Sequence, residues 1–145
     1  MSAKIYQVLN LLAERCPSFG RSTVALAVGH LSEKLGDMKL KKPAGETLGI
    51  FAEKTSLSFV LNQAYEPMGK QKAPKVIADS ISWINTSLQE FGIAGLSLRP
   101  LIEFLKEGLK NSNSAPRTSA TACLVTVKLF AGSSQFFIAS AFETH

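Results

Sequence analysis

Three short basic segments are the parts of this chain whose residue types and spacing suggest a chemical role. They are MKLKKPAGET at 38–47, KQKAPKVIAD at 70–79 and KNSNSAPRTSA at 110–120. Half of the sixteen lysines and arginines lie there, namely Lys39, Lys41, Lys42, Lys70, Lys72, Lys75, Lys110 and Arg117. Concentrated positive charge raises association rates with an acidic partner and fixes its register, so these segments predict ionic recognition.

The residues that catalysis or metal binding would need are few and scattered. His30 lies in an apolar helical pattern and His145 is the last residue, while Cys16 and Cys123 are far apart and lack the spacing of metal ligands. The glycines of FGIAGL (91–96) are not followed by the lysine and hydroxyl residue of a phosphate-binding loop. We therefore predict a non-catalytic protein with no cofactor, no metal and no small-molecule substrate, whose cysteines are buried reduced thiols.

Composition limits the class of partner but does not select one. The chain has 145 residues, of which 46% are apolar and 19% charged, with a net charge of +5. No apolar run approaches the ~18 residues that cross a bilayer, and the start lacks the pattern of a signal peptide, so we expect a cytosolic chain without membrane contact. The basic segments contain no aromatic residue for stacking bases, which disfavours single-stranded nucleic acid. Duplex binding through phosphates remains open.

Apolar residues recur at helical spacing along almost the whole chain, and no stretch alternates as a strand would. Five stripes carry this pattern: Ile5, Val8, Leu9 and Leu12; Val24, Val28, Leu31 and Leu35; Leu57, Leu61, Ala64, Tyr65 and Met68; Ile77, Ile81, Ile84, Leu88 and Phe91; Leu98, Leu101, Ile102, Leu105 and Leu109. We predict an all-α fold of seven helices of roughly 12–18 residues. An eighth helix is expected from about Ser134. Trp83 adjoins the fourth stripe and is expected to pack in the core.

Punctuating residues between the stripes predict where the helices begin and end. Glycines that follow a stripe suggest left-handed C-caps, at Gly20, Gly36, Gly69, Gly92 and Gly132. Serines before a stripe suggest N-caps, at Ser22, Ser56, Ser97 and Ser114. Pro43 and Pro74 stand where the first turn of a helix tolerates proline.

The basic segments recur with a period that indicates a helical repeat. Pro43 and Pro74 are 31 residues apart, and Pro74 and Ser114 are 40 apart. Each segment joins two amphipathic helices, and short connections make such neighbours antiparallel. A solenoid of helix pairs places equivalent loops along one edge, so we predict a positive strip there. The alternative, that these lysines are ordinary solvated loop residues, stays open on this pattern alone.

The same segments resemble a known family. EKLGDMKLKKPAGETL (33–48), KQKAPKVIADSISWINTSLQEFGIAGL (70–96) and NSNSAPRTSAT (111–121) are similar to the third, fourth and fifth HEAT repeats of a TOG domain. TOG domains belong to the Mini spindles and cytoskeleton-associated microtubule polymerases. The resemblance covers roughly 3–132, so 1–145 is interpreted as a single partial TOG-like domain running from the end of the second repeat to the fifth, with a divergent tail at 133–145.

The resemblance implies an α-solenoid of HEAT-like antiparallel helix pairs that binds αβ-tubulin and microtubules through loops within the repeats. It implies a contribution to plus-end polymerisation and spindle organisation, in the cytoplasm and at microtubules, spindle poles, centrosomes and kinetochores. Carried over to matching positions, the tubulin-binding residues are Lys39, Lys41, Lys42, Lys72, Lys75 and Arg117. Arg117 is the one expected to hold a carboxylate through two hydrogen bonds, because its planar fork matches that geometry.

The chain also departs from the family pattern. Nothing in it matches the first repeat, whose loop carries an aromatic residue that inserts against tubulin. Ser114 stands where the family has proline, and Pro116 where it has an aliphatic residue. Without the aromatic anchor we expect weak tubulin binding. The alternative function is a HEAT-repeat adaptor for another acidic protein or for nucleic acid. In the tail, we expect one of two arrangements for four apolar residues: they cover one end of the helix stack, or they stay exposed and promote aggregation. These residues are Phe136, Phe137, Ile138 and Phe142.

Overall fold

The computed structural model describes residues 3–16, 20–93 and 95–131, and in those residues it contains seven α-helices and no strand. The helices are α1 (Ala3–Arg15), α2 (Arg21–Glu33), α3 (Lys41–Lys54), α4 (Leu57–Gly69), α5 (Pro74–Phe91), α6 (Leu98–Leu109) and α7 (Ser114–Ala131). A short 3-10 turn at Lys34–Gly36 follows α2. The predicted all-α fold is confirmed. The eighth helix, Gly132 and the phenylalanines of the tail lie outside the described residues.

The α5 helix shows how directly the apolar spacing sets an element. Ile81, Ile84 and Leu88 are completely buried, as their 3- and 4-residue spacing predicts for one face of a helix. Pro74 opens α5 at its first position, where the missing N–H is not needed. Gly92 ends the helix with φ of +75°, in the region that favours glycine.

The predicted left-handed C-cap is present at Gly92, but not at Gly20, Gly36 or Gly69. The glycines with positive φ in the described residues are Gly92 and Gly95, so Gly36 and Gly69 do not form left-handed caps. Gly69 is the last residue of α4, and Gly36 belongs to the 3-10 turn. Gly20 precedes α2 in an extended conformation instead of closing α1.

Two of the predicted serine N-caps, Ser56 and Ser97, occupy the N-cap position of a helix. Of these two, only Ser56 makes the capping hydrogen bond. Ser56 Oγ accepts a hydrogen bond from the Phe59 N–H at 3.0 Å and so caps α4. Ser97 stands at the N-cap of α6 without a side-chain bond. Residue type alone does not decide between the two, because the χ1 angle determines whether the hydroxyl reaches the N–H of the first turn.

The other two predicted serine caps are wrong. Ser22 lies inside α2, because Gly20 is already extended and its carbonyl accepts the first helical bond from Val24 N at 3.1 Å. Ser114 is the first residue of α7, and Asn113 performs the capping: its Oδ1 accepts from Ala115 N at 2.9 Å. The amide oxygen of Asn113, one residue before Ser114, thus takes the place of the serine hydroxyl that was predicted to accept this bond.

The helices form two layers. In one layer α1 packs against α3 and α5 packs against α7, while in the other α2 packs against α4. Each even-numbered helix also contacts the odd-numbered helix that follows it, which gives three successive pairs: α2 with α3, α4 with α5, and α6 with α7. This is the stacking of a helical-repeat solenoid.

The predicted core face of α1 is the main error in the assignment of buried residues. Ile5, Val8 and Leu12 are 43%, 56% and 45% exposed, whereas Tyr6 and Ala13 are buried. Periodicity showed that α1 has an apolar face but not which face meets a neighbour. Among the described elements, α1 packs chiefly on α3, so one side of it is covered.

Trp83 and the cysteines lie close to the predicted environments. Trp83 is partly buried, packs against the core, and its Nε1 donates a hydrogen bond to the Gly45 carbonyl at 3.0 Å. Both cysteines are free thiols. Cys123 is buried, and burial raises the pKa of its thiol to about 12. Cys16 is only partly buried, less than predicted.

Candidate functional site

The loop between α2 and α3 is ordered by Asp37, an acidic residue two positions before the first lysine of this loop. Asp37 Oδ1 accepts hydrogen bonds from the backbone N–H groups of Lys39 at 2.8 Å and Leu40 at 3.0 Å. These two bonds are the main reason that the pKa of Asp37 lies below its usual value. The turn therefore presents Lys39 in a fixed backbone conformation immediately before α3.

The other two loops are also ordered by their own side chains. Between α6 and α7, Asn111 Oδ1 accepts from Asn113 N at 2.9 Å, and Asn113 in turn caps α7. Between α4 and α5, Gln71 Nε2 donates to the Pro67 carbonyl at 3.3 Å. All three basic loops thus have a defined path.

One carboxylate joins the first two basic loops. Asp79, in α5, accepts hydrogen bonds from Lys41 Nζ at 2.9 Å and from Lys75 Nζ at 2.7 Å. Lys75 Nζ also donates to the Gly36 carbonyl at 3.2 Å. Burial alone would raise the pKa of Asp79, but the hydrogen bonds and charges of Lys75 and Lys41 outweigh it and lower the pKa. Two lysines from different repeats therefore share one counterion and keep a net positive charge.

Contacts between successive odd-numbered helices connect residues at nearly constant sequence separation. Lys41 and Asp79 are 38 residues apart, and Trp83 and the Gly45 carbonyl to which it donates are also 38 apart. Between α5 and α7, Ser82 Oγ lies 3.4 Å from the Oγ of Ser119, 37 residues away. The shared offset of the two α3–α5 contacts means that α3 and α5 run parallel and in register, so they begin at the same edge of the solenoid. The similar separation of Ser82 and Ser119 fits the same arrangement for α7.

We call this edge the basic edge and define it by the predicted site residues, Lys39, Lys41, Lys42, Lys72, Lys75 and Arg117. The structure brings Lys41 and Lys75 together at Asp79. Lys39 and Lys72 are exposed in the loops, and Lys42 and Arg117 are exposed in the first turns of α3 and α7. Within the described residues these four form no ion pair, so their charges face solvent.

Asp79 is the residue of this site that the sequence interpretation missed. A signal was present, because Lys75 and Asp79 have the four-residue spacing of a helical ion pair. The contact with Lys41 had no local signal, since it connects residues in different repeats.

Among the described residues, no group of three or more histidine, cysteine or acidic side chains could hold a metal ion. None of the helices described is both long and apolar enough to cross a membrane.

Stacked antiparallel helix pairs with their loops on one edge define the class of protein: a helical-repeat domain of the HEAT type. No family model matches the sequence. The solved structure of Drosophila melanogaster Mini spindles TOG3 superposes with a TM-score of 0.78 and 26% identity, covering 100% of this chain and 74% of that one.

The chain belongs to the TOG domains of the Mini spindles family. Protein mini spindles of Drosophila melanogaster is 33% identical over 125 residues, which are 86% of this chain and 6% of that protein. Centrosomal protein 224 of Dictyostelium discoideum is 36% identical over 105 residues, or 69% of this chain and 5% of that protein. A TOG domain is a non-catalytic module, and this chain corresponds to a small part of these relatives.

Proposed function

We propose that the basic edge binds the acidic surface of αβ-tubulin and that the chain is a tubulin- and microtubule-binding module. The observation that carries the proposal is the meeting of Lys41 and Lys75 at Asp79, which places the loops of two repeats side by side. Membership of the TOG domains supports tubulin as the partner. The names of the relatives support a location at spindles and centrosomes. Membership of the family supports a contribution to microtubule growth.

The residues assigned to contact are the exposed cations of the edge. Lys39, Lys42 and Lys72 offer single ammonium groups, and Arg117 offers a planar fork that suits a carboxylate. Hydrogen bonds between such groups and carboxylates contribute about 1.5–3 kcal/mol each when well formed. The ammonium groups of Lys41 and Lys75 are held in place by their bonds to Asp79. These two lysines therefore contribute positive charge to the basic edge.

The test is a triple variant, Lys42→Ala with Lys72→Ala and Arg117→Ala, which leaves the Asp79 bonds intact. Binding of unpolymerised αβ-tubulin is measured by fluorescence anisotropy at two salt concentrations. We expect the dissociation constant to rise by at least about tenfold, the equivalent of ~1.4 kcal/mol. We also expect added salt to weaken the wild type more than the variant, because screening acts on the charges that the variant lacks.

The matched control removes the same charge at the opposite ends of the helices: Arg15→Ala with Lys54→Ala and Lys128→Ala. These residues are exposed in the last turns of α1, α3 and α7. The control triple is expected to bind tubulin like the wild type. Equal losses in both triples would mean that net charge, and not the basic edge, governs binding. Binding of duplex DNA in preference to tubulin would favour nucleic acid as the partner.

A further inference from the structure

A second surface lies behind the basic edge, in an open groove between α3 and α5 that we call the α3–α5 groove. Its volume is about 770 Å³, and its apolar lining includes Leu35, Ile50, Trp83 and Phe91. At one end the indole of Trp83 fills the space between the helices: a Cβ built on Gly45 would lie 2.9 Å from Trp83 Cδ1. Farther along the helices the space between them is open.

The groove is negatively charged although the chain as a whole is positive. Four carboxylates and two lysines line it: Glu46, Glu53, Asp79, Glu90, Lys41 and Lys42. With Lys75, whose ammonium bonds Asp79, four acids and three bases give a net charge of −1, against +5 for the whole chain. Asp79 is matched by its two lysines, whereas the three glutamates are exposed to solvent.

The negative charge is concentrated at the end of the groove away from the basic edge. Glu53 is the last residue but one of α3, and Glu90 is the last but one of α5. Since α3 and α5 run parallel, both of their C-terminal ends lie there and add the partial negative charge of two helix dipoles. Lys42 stands at the other end of the lining.

The middle of the groove has room for another side chain. A Cβ built on Gly49, in α3, would meet no atom within 4 Å, in contrast to Gly45 on the previous turn. Ile50 and Trp83 are partly buried, so their remaining apolar surface is available to a ligand. Apolar walls with a charged end are the features that receive an amphipathic helix in a groove.

We propose that the α3–α5 groove docks an amphipathic helical segment of a partner protein, with its apolar side chains over Trp83 and Ile50. Lysine or arginine on that segment faces Glu53 and Glu90. Charge complementarity selects this occupant, because acidic groove walls disfavour an acidic helix.

Other occupants are less complementary. Residues 132–145 of this chain contain no lysine or arginine. The exposed face of α7 in a second copy, which includes Val125, Leu129 and Phe130, offers Lys128 as its nearby basic residue. A partner segment with several basic residues matches the glutamates better than either.

The test uses Trp83, the only tryptophan of the chain, as the reporter. The probe is a helical peptide of leucine and lysine, about four turns long and without aromatic residues. We expect saturable quenching or a blue shift of the tryptophan emission, and no response to the equivalent peptide of leucine and glutamate. Gly49→Phe fills the groove and is expected to weaken binding at least about tenfold. Gly49→Ala, which adds one methyl group to open space, is the matched control.

A second pair of variants tests the charges without filling the groove. Glu53→Lys with Glu90→Lys is expected to abolish the response, whereas Glu14→Lys with Glu33→Lys, on exposed parts of α1 and α2, is expected to preserve it. Equal binding by Gly49→Phe and Gly49→Ala, or equal effects of the two charge reversals, would overturn the proposal. So would no response in the wild type, or an emission shift that depends on protein concentration alone, which would identify a second copy as the occupant. None of these measurements involves tubulin, so they stand apart from the test of the basic edge.

Discussion

At the scale of single residues, Asp79 makes the stability of the basic edge dependent on pH. Its folded-state pKa is lowered by Lys75 and Lys41, against the opposing effect of burial. A lowered folded-state pKa means that the ionised group stabilises the fold above its unfolded pKa, and that this stabilisation is lost as the pH falls through the folded value. The two lysines are 47% and 58% exposed, so solvent screening keeps the effect modest.

We predict that Asp79→Asn lowers the free energy of unfolding by about 1 kcal/mol at pH 7. The gap between wild type and variant should narrow below pH about 4, where an unfolded aspartate becomes protonated, and should close at still lower pH. Urea unfolding of both proteins at several pH values between about 7 and about 2.5 measures this difference in free energy of unfolding. Glu66→Gln is the control, because the Glu66–Lys70 pair is exposed on both sides and contributes little. A gap that does not change with pH would show that the charge of Asp79 is not responsible.

At the scale of helices, the two serine caps of α4 and α6 give a direct comparison. Ser56→Ala removes the bond to the Phe59 N–H and should lower the free energy of unfolding by about 1 kcal/mol. Ser97→Ala removes a hydroxyl that makes no capping bond, so its effect should be clearly smaller. Both replacements change serine to alanine at an N-cap. If the m-values are equal, the denaturant midpoints of the two variants give the difference between their losses in free energy of unfolding. Losses of the same size would mean that the cap bond itself contributes nothing.

The sequence predicted where the helices lie along the chain, but it did not reliably predict which face of each helix is buried. The spacing of Ile81, Ile84 and Leu88 predicts both α5 and its buried face, because several neighbours surround that helix. The spacing of Val8 and Leu12 predicts α1 correctly but its buried face wrongly. Periodicity identifies an apolar face, and the contacts that cover a face depend on elements distant in sequence.

The basic edge was predictable only in part for the same reason. Recurring loops predicted that the lysines belong to equivalent positions of a repeat. The bridge from Asp79 to Lys41 spans 38 residues, and no local pattern specifies such a contact. The α3–α5 groove likewise depends on how Trp83 meets Gly45 across two repeats. A repeat period predicts the order of the elements but not the spacing between them.

At the scale of the whole molecule, the described solenoid exposes apolar surface at both ends. Ile5, Val8, Leu11 and Leu12 of α1 are 43–56% exposed, and α7 exposes Val125, Leu129 and Phe130. Contiguous apolar patches of this kind promote association. Most of these side chains add less to the stability of the isolated chain than core residues do, because about half of each stays in contact with water.

This exposure leads to a prediction about self-association. Val8→Gln with Leu12→Gln should reduce concentration-dependent association, measured by sedimentation velocity, while lowering the free energy of unfolding by no more than about 1 kcal/mol per site. The matched control makes the same two kinds of substitution in α2, Val28→Gln with Leu31→Gln, where the side chains are 0% and 2% exposed. That pair places two amides in the core and should cost several kcal/mol, on the order of 2–5 per site. If the α1 pair destabilised the chain as much as the α2 pair, the α1 face would have to be buried in solution.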